Sequence, residues 1–182
     1  MSADEFYRFC VAHPNERFEL TAEGGIITVA PAGDESDYRN VHAVVALGTW
    51  AKRDGRGLVF GQSAAFALPS GATYSPDAAW VSRERVSRLT KAQRRKFMPL
   101  CPEFVIEVMS PSDRLKPAQQ KMRDWIAEGA ELGWLIDGDR RTVYIYRKGR
   151  SEPERLTRAV SISGEGPVTG FVLDLNEIWE GI

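Results

Sequence analysis

The sequence predicts an α/β fold, a mixed central β-sheet flanked by helices, in one domain over residues 1–182. Three observations predict it. Apolar runs such as "EFVIEVM", "LGWLID" and "TVYIYR" have the length of buried strands. Val41, Val44, Val45 and Gly48 recur at helical spacing, as do Ala118, Met122, Trp125 and Ile126. Several strands follow one another through short turns rich in Gly, Asp or Pro, the signature of antiparallel neighbours.

Each element follows from local chemistry. Ala3 to Ala12 form a short helix with Phe6, Phe9 and Cys10 on one face, ended by "HPN". "RFELTAEGGIITVAP" is a hairpin that turns at "AEGG" and stops at Pro31. "GDES" supplies caps and first-turn acids to a helix from Tyr38 to Lys52, broken by "RDGRG". "LVFGQSAAFAL" and "YSPDAAWVS" are two strands around the turn "PSGA". Arg83 to Met98 is a polar, basic segment, helical from Thr90. After the strand "EFVIEVM", Pro117 near the start and Gly129 past the end bracket another helix. "LGWLID", "TVYIYR" and a strand within "SEPERLTRAVSIS" come next, with turns at "GDRR" and "KGRSEP". "GFVLDLNEIWEGI" closes with a strand and a short helical turn. Trp134, Tyr144 and Tyr146 alternate with apolar residues and belong to the core or sheet surface rather than to a base-stacking platform.

Composition narrows the function. The chain is 43% hydrophobic and 27% charged with a net charge of −1, so any basic surface must be local. Two cysteines, Cys10 and Cys101, without a CxxC motif fit a reducing compartment, and a cytoplasmic location is expected. "MSADEFYRFC" is acidic and amphipathic, unlike a signal peptide, and the apolar runs are too short to cross a membrane. There is no P-loop, G-x-G-x-x-G or G-x-S-x-G motif, and His13 and His42 have no cysteine partners for a usual zinc site.

The informative oddity is Glu107, a carboxylate amid Phe104, Val105, Ile106, Val108 and Met109. An ionised carboxylate is costly to bury without a partner. Asp77 opens "DAAWV" directly after Pro76. If these two strands pair antiparallel, both acids fall at one end of the sheet and can share a face. Two adjacent carboxylates repel unless a proton or a cation lies between them, and such oxygen-rich sites suit Mg2+ or Mn2+. Lys121 lies at the edge of the apolar face of the next helix and can bring its ammonium to the sheet edge. Plainer readings exist for each: an acid paired with arginine, an aspartate satisfying turn amides, a solvated lysine.

The run "RERVSRLTKAQRRK" carries Arg83, Arg85, Arg88, Lys91, Arg94, Arg95 and Lys96 against one acid, Glu84. It connects the two acid-bearing strands. Arg83, Arg85, Arg94, Arg95 and Lys96 are therefore expected to contact nucleic-acid phosphates near the acids. A solvated helix face is the plainer alternative.

"YSPDAAWV", "FVIEVMSPSD" and "KMRDWIAEGAELGWLID" resemble the motifs of the Uma family of putative endonucleases, within the PD-(D/E)xK, or restriction-endonuclease-like, superfamily. The likeness extends from "FELTAEGGIITVAPAG" to "GFVLDLNEIW". It implies a restriction-endonuclease-like core and metal-dependent cleavage of phosphodiester bonds in DNA, with RNA as the other candidate substrate. It implies Asp77 and Glu107 as ligands of Mg2+ or Mn2+. The superfamily lysine two residues after the second acid is here Met109; the resemblance moves its role to Lys121 on the following helix. Glu35 best matches an acid on the first core helix, and Ser36 stands where the family often has histidine. Glu19 matches a recurring family glutamate and is read as structural. A homodimer is the expectation by analogy with nucleases that cut two strands. The alternative is a nucleic-acid-binding or interaction module that keeps the fold but cleaves poorly; a hydrolase of small nucleotides is a third reading.

Overall fold

The helices are separated by runs of one to five strands. The computed structural model describes residues 1–31 and 33–182. The helices are α1 (Ala3–Ala12), α2 (Asp34–Asp54), α3 (Arg83–Ser87), α4 (Leu115–Glu128) and α5 (Asn176–Glu180). The strands are β1 (Arg17–Leu20), β2 (Ile26–Val29), β3 (Gly57–Gly61), β4 (Phe66–Ala67), β5 (Thr73–Tyr74), β6 (Ala78–Ser82), β7 (Phe104–Val108), β8 (Leu132–Asp137), β9 (Thr142–Arg147), β10 (Glu154–Thr157), β11 (Ser161–Ser163) and β12 (Val172–Asp174).

The central sheet has six strands in the order β10-β9-β8-β7-β6-β3. Every neighbour is antiparallel except β7 and β8, which run parallel because α4 carries the chain back between them. The sheet is therefore mixed. A smaller sheet has the order β2-β1-β5-β4, and β11 pairs with β12.

Alternation along the strands sorts side chains to two apolar layers. Ala78, Trp80, Phe104 and Ile106 pack toward Leu47 of α2 and Ile178 of α5. Ala79, Val81 and Val105 pack toward Met122 and Trp125 of α4. Phe171 and Trp179 are both buried in the α2 layer. The same alternation puts Glu107 on the α4 side, one step beyond Val105.

Four expectations are corrected in detail. The two long strand segments each break in two. "LVFGQSAAFAL" forms β3 in the large sheet and β4 in the small one; "YSPDAAWVS" forms β5 and β6. Pro76, which has no N–H for a ladder, marks the second crossing between sheets. The helix placed at Tyr38 begins earlier, at Asp34, and its Gly33 cap makes no side-chain bond. Its buried face is Ser36, Arg39, Asn40, Ala43, Leu47 and Ala51, whereas Val41 and Val45 are exposed. Ala43, Leu47 and Ala51 form the apolar part of that face, packed against the sheet. Finally, Ser82 caps a helix at Arg83 by accepting from the Arg85 N–H. Thr90 and Gln93 exchange bonds that close only one 3-10 turn over Gln93–Arg95, so no helix grows from Thr90.

Candidate active site

The antiparallel register of β6 and β7 pairs Ala78 with Ile106, so the preceding Asp77 lies beside Glu107 and Val108. Asp77 Oδ2 accepts the Val108 N–H at 2.7 Å, and Asp77 Oδ1 accepts from Asn40 Nδ2 of α2 at 3.1 Å. On α4, Lys121 and Trp125 are one turn apart and both reach Glu107. Trp125 Nε1 donates to Glu107 Oε1 at 2.8 Å, and Lys121 Nζ lies 3.0 Å from Oε1 and 3.2 Å from Oε2.

Lys121 has two further acceptors. Its Nζ donates to Glu19 Oε1 of β1 at 2.8 Å and to the Ser75 carbonyl at 3.0 Å. An ammonium has three N–H bonds, and here each has an oxygen partner. Glu19 is 7% exposed, and the same Oε1 also accepts the Ser75 N–H at 2.9 Å. Two carboxylates thus share one cationic side chain, and a third, Asp77, lies beside them.

The electrostatics follow from that imbalance. Burial pushes the Glu107 carboxyl up to about 8, with Asp77 and Glu19 adding to the rise and Lys121 opposing it. Burial also raises Asp77, against the Val108 N–H and the charge of Lys121. For Lys121, burial acts to lower the pKa, but Glu107 and Glu19 outweigh it and hold the group as an ammonium. The site has more negative capacity than its own cation neutralises.

A cavity of about 820 Å³ opens over Glu19, Asp77, Glu107 and Lys121, with Ser36 and Asn40 also in its wall. Among the described residues, no three or more His, Cys, Asp or Glu side chains are grouped to hold an ion. The donor chemistry nevertheless fits a hard cation. Mg2+ is commonly held by one or two carboxylates, with waters and phosphate oxygens completing the shell. Asp77 and Glu107 supply that number.

Glu35 lies elsewhere. It shares a helix face with Arg39, one turn on, and its Oε1 is 2.6 Å from Arg39 Nη2. Arg39 also reaches Asp139 Oδ1 at 3.1 Å and the Ile178 carbonyl at 3.1 Å. A Cβ on Gly181 would sit 2.5 Å from Glu35 Oε1, which places that carboxylate against the C-terminal segment. The helix turns by about 100° per residue, so Ser36 and Asn40, one position later, take the cavity face instead. Glu35→Gln is expected to lower stability by about 1 kcal/mol, because the lost partner of Arg39 is half exposed. It should leave Mn2+ affinity unchanged; thermal melts and a metal titration check both.

The basic run is also distant from the acids. Its connection leaves β6 at Ser82 and enters β7 at Phe104, opposite Trp80, at the other end of these strands from Asp77. Arg83 Nε donates to the Gly55 carbonyl at 3.0 Å. Arg85 Nη1 bonds the Cys101 carbonyl at 2.7 Å and Glu103 at 3.2 Å. Lys96 pairs with Asp4 of α1 at 2.9 Å, while Arg94 and Arg95 are exposed. None of these five residues lines the cavity.

Two contributions escape the sequence reading. Glu19, assigned to structure, sits on the Lys121 ammonium. Asn40 has no motif around it; its only signal is a position one turn after Ser36 on the same face.

Comparison with known proteins gives a consistent picture. A family model named Uma2, described as "Putative restriction endonuclease", matches residues 3–176. No curated protein matches at a significant level. Among solved structures, the chain is similar to a putative nuclease belonging to DUF820 from Anabaena variabilis ATCC 29413. The TM-score is 0.80 at 19% identity, covering 99% of this chain and 98% of that one. At that identity the likeness shows the fold: an α/β core with a mixed central sheet flanked by helices.

Proposed function

The chain belongs to the Uma2 family of putative restriction endonucleases, and from that premise we propose that it hydrolyses phosphodiester bonds, most naturally in DNA, with Mg2+ or Mn2+. The carrying observation is the meeting of Asp77 and Glu107 at one end of β6 and β7, with the Lys121 ammonium 3.0 Å from Glu107.

Asp77 and Glu107 would hold the cation, each keeping lone pairs beyond its present bonds. The cation, when bound, supplies an activated water and polarises the scissile phosphate. Lys121 is held as an ammonium and so cannot accept the water's proton; it offers fixed positive charge to the pentavalent transition state. Glu19 and the Ser75 carbonyl fix the direction of that ammonium. In the overall reaction, water adds to phosphorus and the bond from phosphorus to one sugar oxygen breaks. Arg17, which also lines the cavity and bonds Gln62, offers a contact for a backbone phosphate.

A supercoiled plasmid incubated with purified protein tests the reading. Nicking is expected in Mn2+ or Mg2+, none in chelator, and a loss of at least about 100-fold in Asp77→Ala, by analogy with removal of one catalytic group. An Asp77→Ala protein that cuts like the parent ends the proposal. DNA held equally well with and without chelator, and left intact, would favour the binding module instead. Met109 at the usual lysine position is the observation that keeps that second reading in view.

A further inference from the structure

Ser36 and Asn40 both line the cavity, and each has a buried polar atom with no hydrogen-bond partner among the described residues: Ser36 Oγ and Asn40 Oδ1. Both belong to α2 and lie one turn apart on one face. Ser36 is 2% exposed and Asn40 4%. Leaving a buried acceptor unmatched is costly, so native proteins rarely do it without a ligand or a water.

The orientation of Asn40 follows from its neighbour. Asp77 offers only acceptors when ionised, so the amide must turn its Nδ2 toward Asp77 Oδ1, as it does at 3.1 Å. Oδ1 is then left over and needs a donor. No group among the described residues provides one. A water in the hydration shell of a cation is a strong donor, and one seated between Asp77 and Asn40 would satisfy the free oxygen. Ser36 Oγ, one turn away, can accept from or donate to the same shell.

We propose that Asn40, aided by Ser36, is a positioning residue that accepts a hydrogen bond from the hydration shell of a divalent cation held at Asp77 and Glu107. The inference rests on the nuclease reading above and adds a second role for α2, beyond burying its apolar face. Asn40 then ties the carboxylate ligand and the ordered water to one rigid helix, which fixes their relative direction. Partners of this kind are worth roughly 10- to 100-fold in metal affinity.

Mn2+ binding by the purified chain, read from the free-ion EPR signal without nucleic acid, tests it. Asn40→Leu should weaken binding about tenfold. Ser36→Ala, which leaves every Asp77 bond in place, should weaken binding a few-fold. Thermal melts confirm that each variant is folded. Leu and Ala variants that bind like the parent overturn the inference and leave the proposed function standing. A Ser36→Ala protein that binds like the parent while Asn40→Leu binds weakly also overturns it, because the role would then be only the bond to Asp77. A parent that binds no Mn2+ overturns the metal-dependent function and this inference together.

Discussion

Lys121→Met is expected to destabilise the protein by roughly 3–5 kcal/mol at pH 8, the cost of leaving buried charge unpaired. For a chain of this length that corresponds to a fall in Tm on the order of 10 °C. Methionine keeps much of the lysine stem's volume, so lost packing contributes little. What disappears is the cation shared by Glu19 and Glu107, which are both buried or nearly so. Their remaining partners, the Ser75 N–H and the Trp125 Nε1–H, are neutral.

The sign with pH identifies the cause. Without the ammonium, which opposes the rise, buried Glu107 binds a proton still more readily in the folded state than in the unfolded chain. Protonation relieves the buried charge, so the deficit should shrink as pH falls toward 5. Urea unfolding at pH 5.5 and pH 8 measures it. A loss of about 1 kcal/mol that is equal at both pH values would mean that Lys121 contributes only its packed stem, and the shared-ammonium picture would fail.

The sequence exposed those parts of the site that depend on strand and helix register. Glu107 stood out because a charge in an apolar strand is costly, and Asp77 because Pro76 fixes where β6 can start. Lys121 was legible from the helical wheel of α4. Glu19 was not, since its meaning depends on how the small sheet sits against α4, a contact between residues 102 positions apart. Glu35 was assigned by the family resemblance and Asn40 carried no signal, because neither can be placed without the rotation of α2 about its axis. A helix is read from its apolar stripe, and in α2 Val41 and Val45 point to solvent while the buried face carries Ser36, Arg39 and Asn40 beside Ala43, Leu47 and Ala51. The rotation of the helix about its axis was thus misread, and one position along a helix is enough to move a side chain from the cavity to the Arg39 ion pair. The basic run shows the limit of adjacency in sequence: a connection between two site strands can begin and end at the opposite end of the sheet.

Stability without metal should fall as pH rises from about 5 to about 8, and Mn2+ should reverse the fall. Glu107 has its folded pKa near 8, above the ordinary 4.5, because it is buried beside Asp77 and Glu19. A group raised on folding stabilises the native state fully below its unfolded pKa, and that contribution disappears as pH climbs through the folded value. Asp77 moves in the same direction and reinforces the slope. A tenfold change in proton affinity is worth about 1.4 kcal/mol, so the fall amounts to a few kcal/mol. On the proposed reading, a divalent cation would replace the proton as the group that screens the two acids. It should therefore raise Tm more at pH 8 than at pH 5.5, following the ligand-linked gain of RT ln(1 + [L]/Kd), with Kd itself weakened by proton competition at low pH. Glu107→Gln removes the titrating charge, and is expected to flatten the metal-free slope and abolish most of the Mn2+ response. Scanning melts at the two pH values, with chelator and with Mn2+, decide it. Equal Mn2+ shifts at both values, or a Glu107→Gln protein that responds like the parent, would show that the carboxylate pair is not where the ion binds.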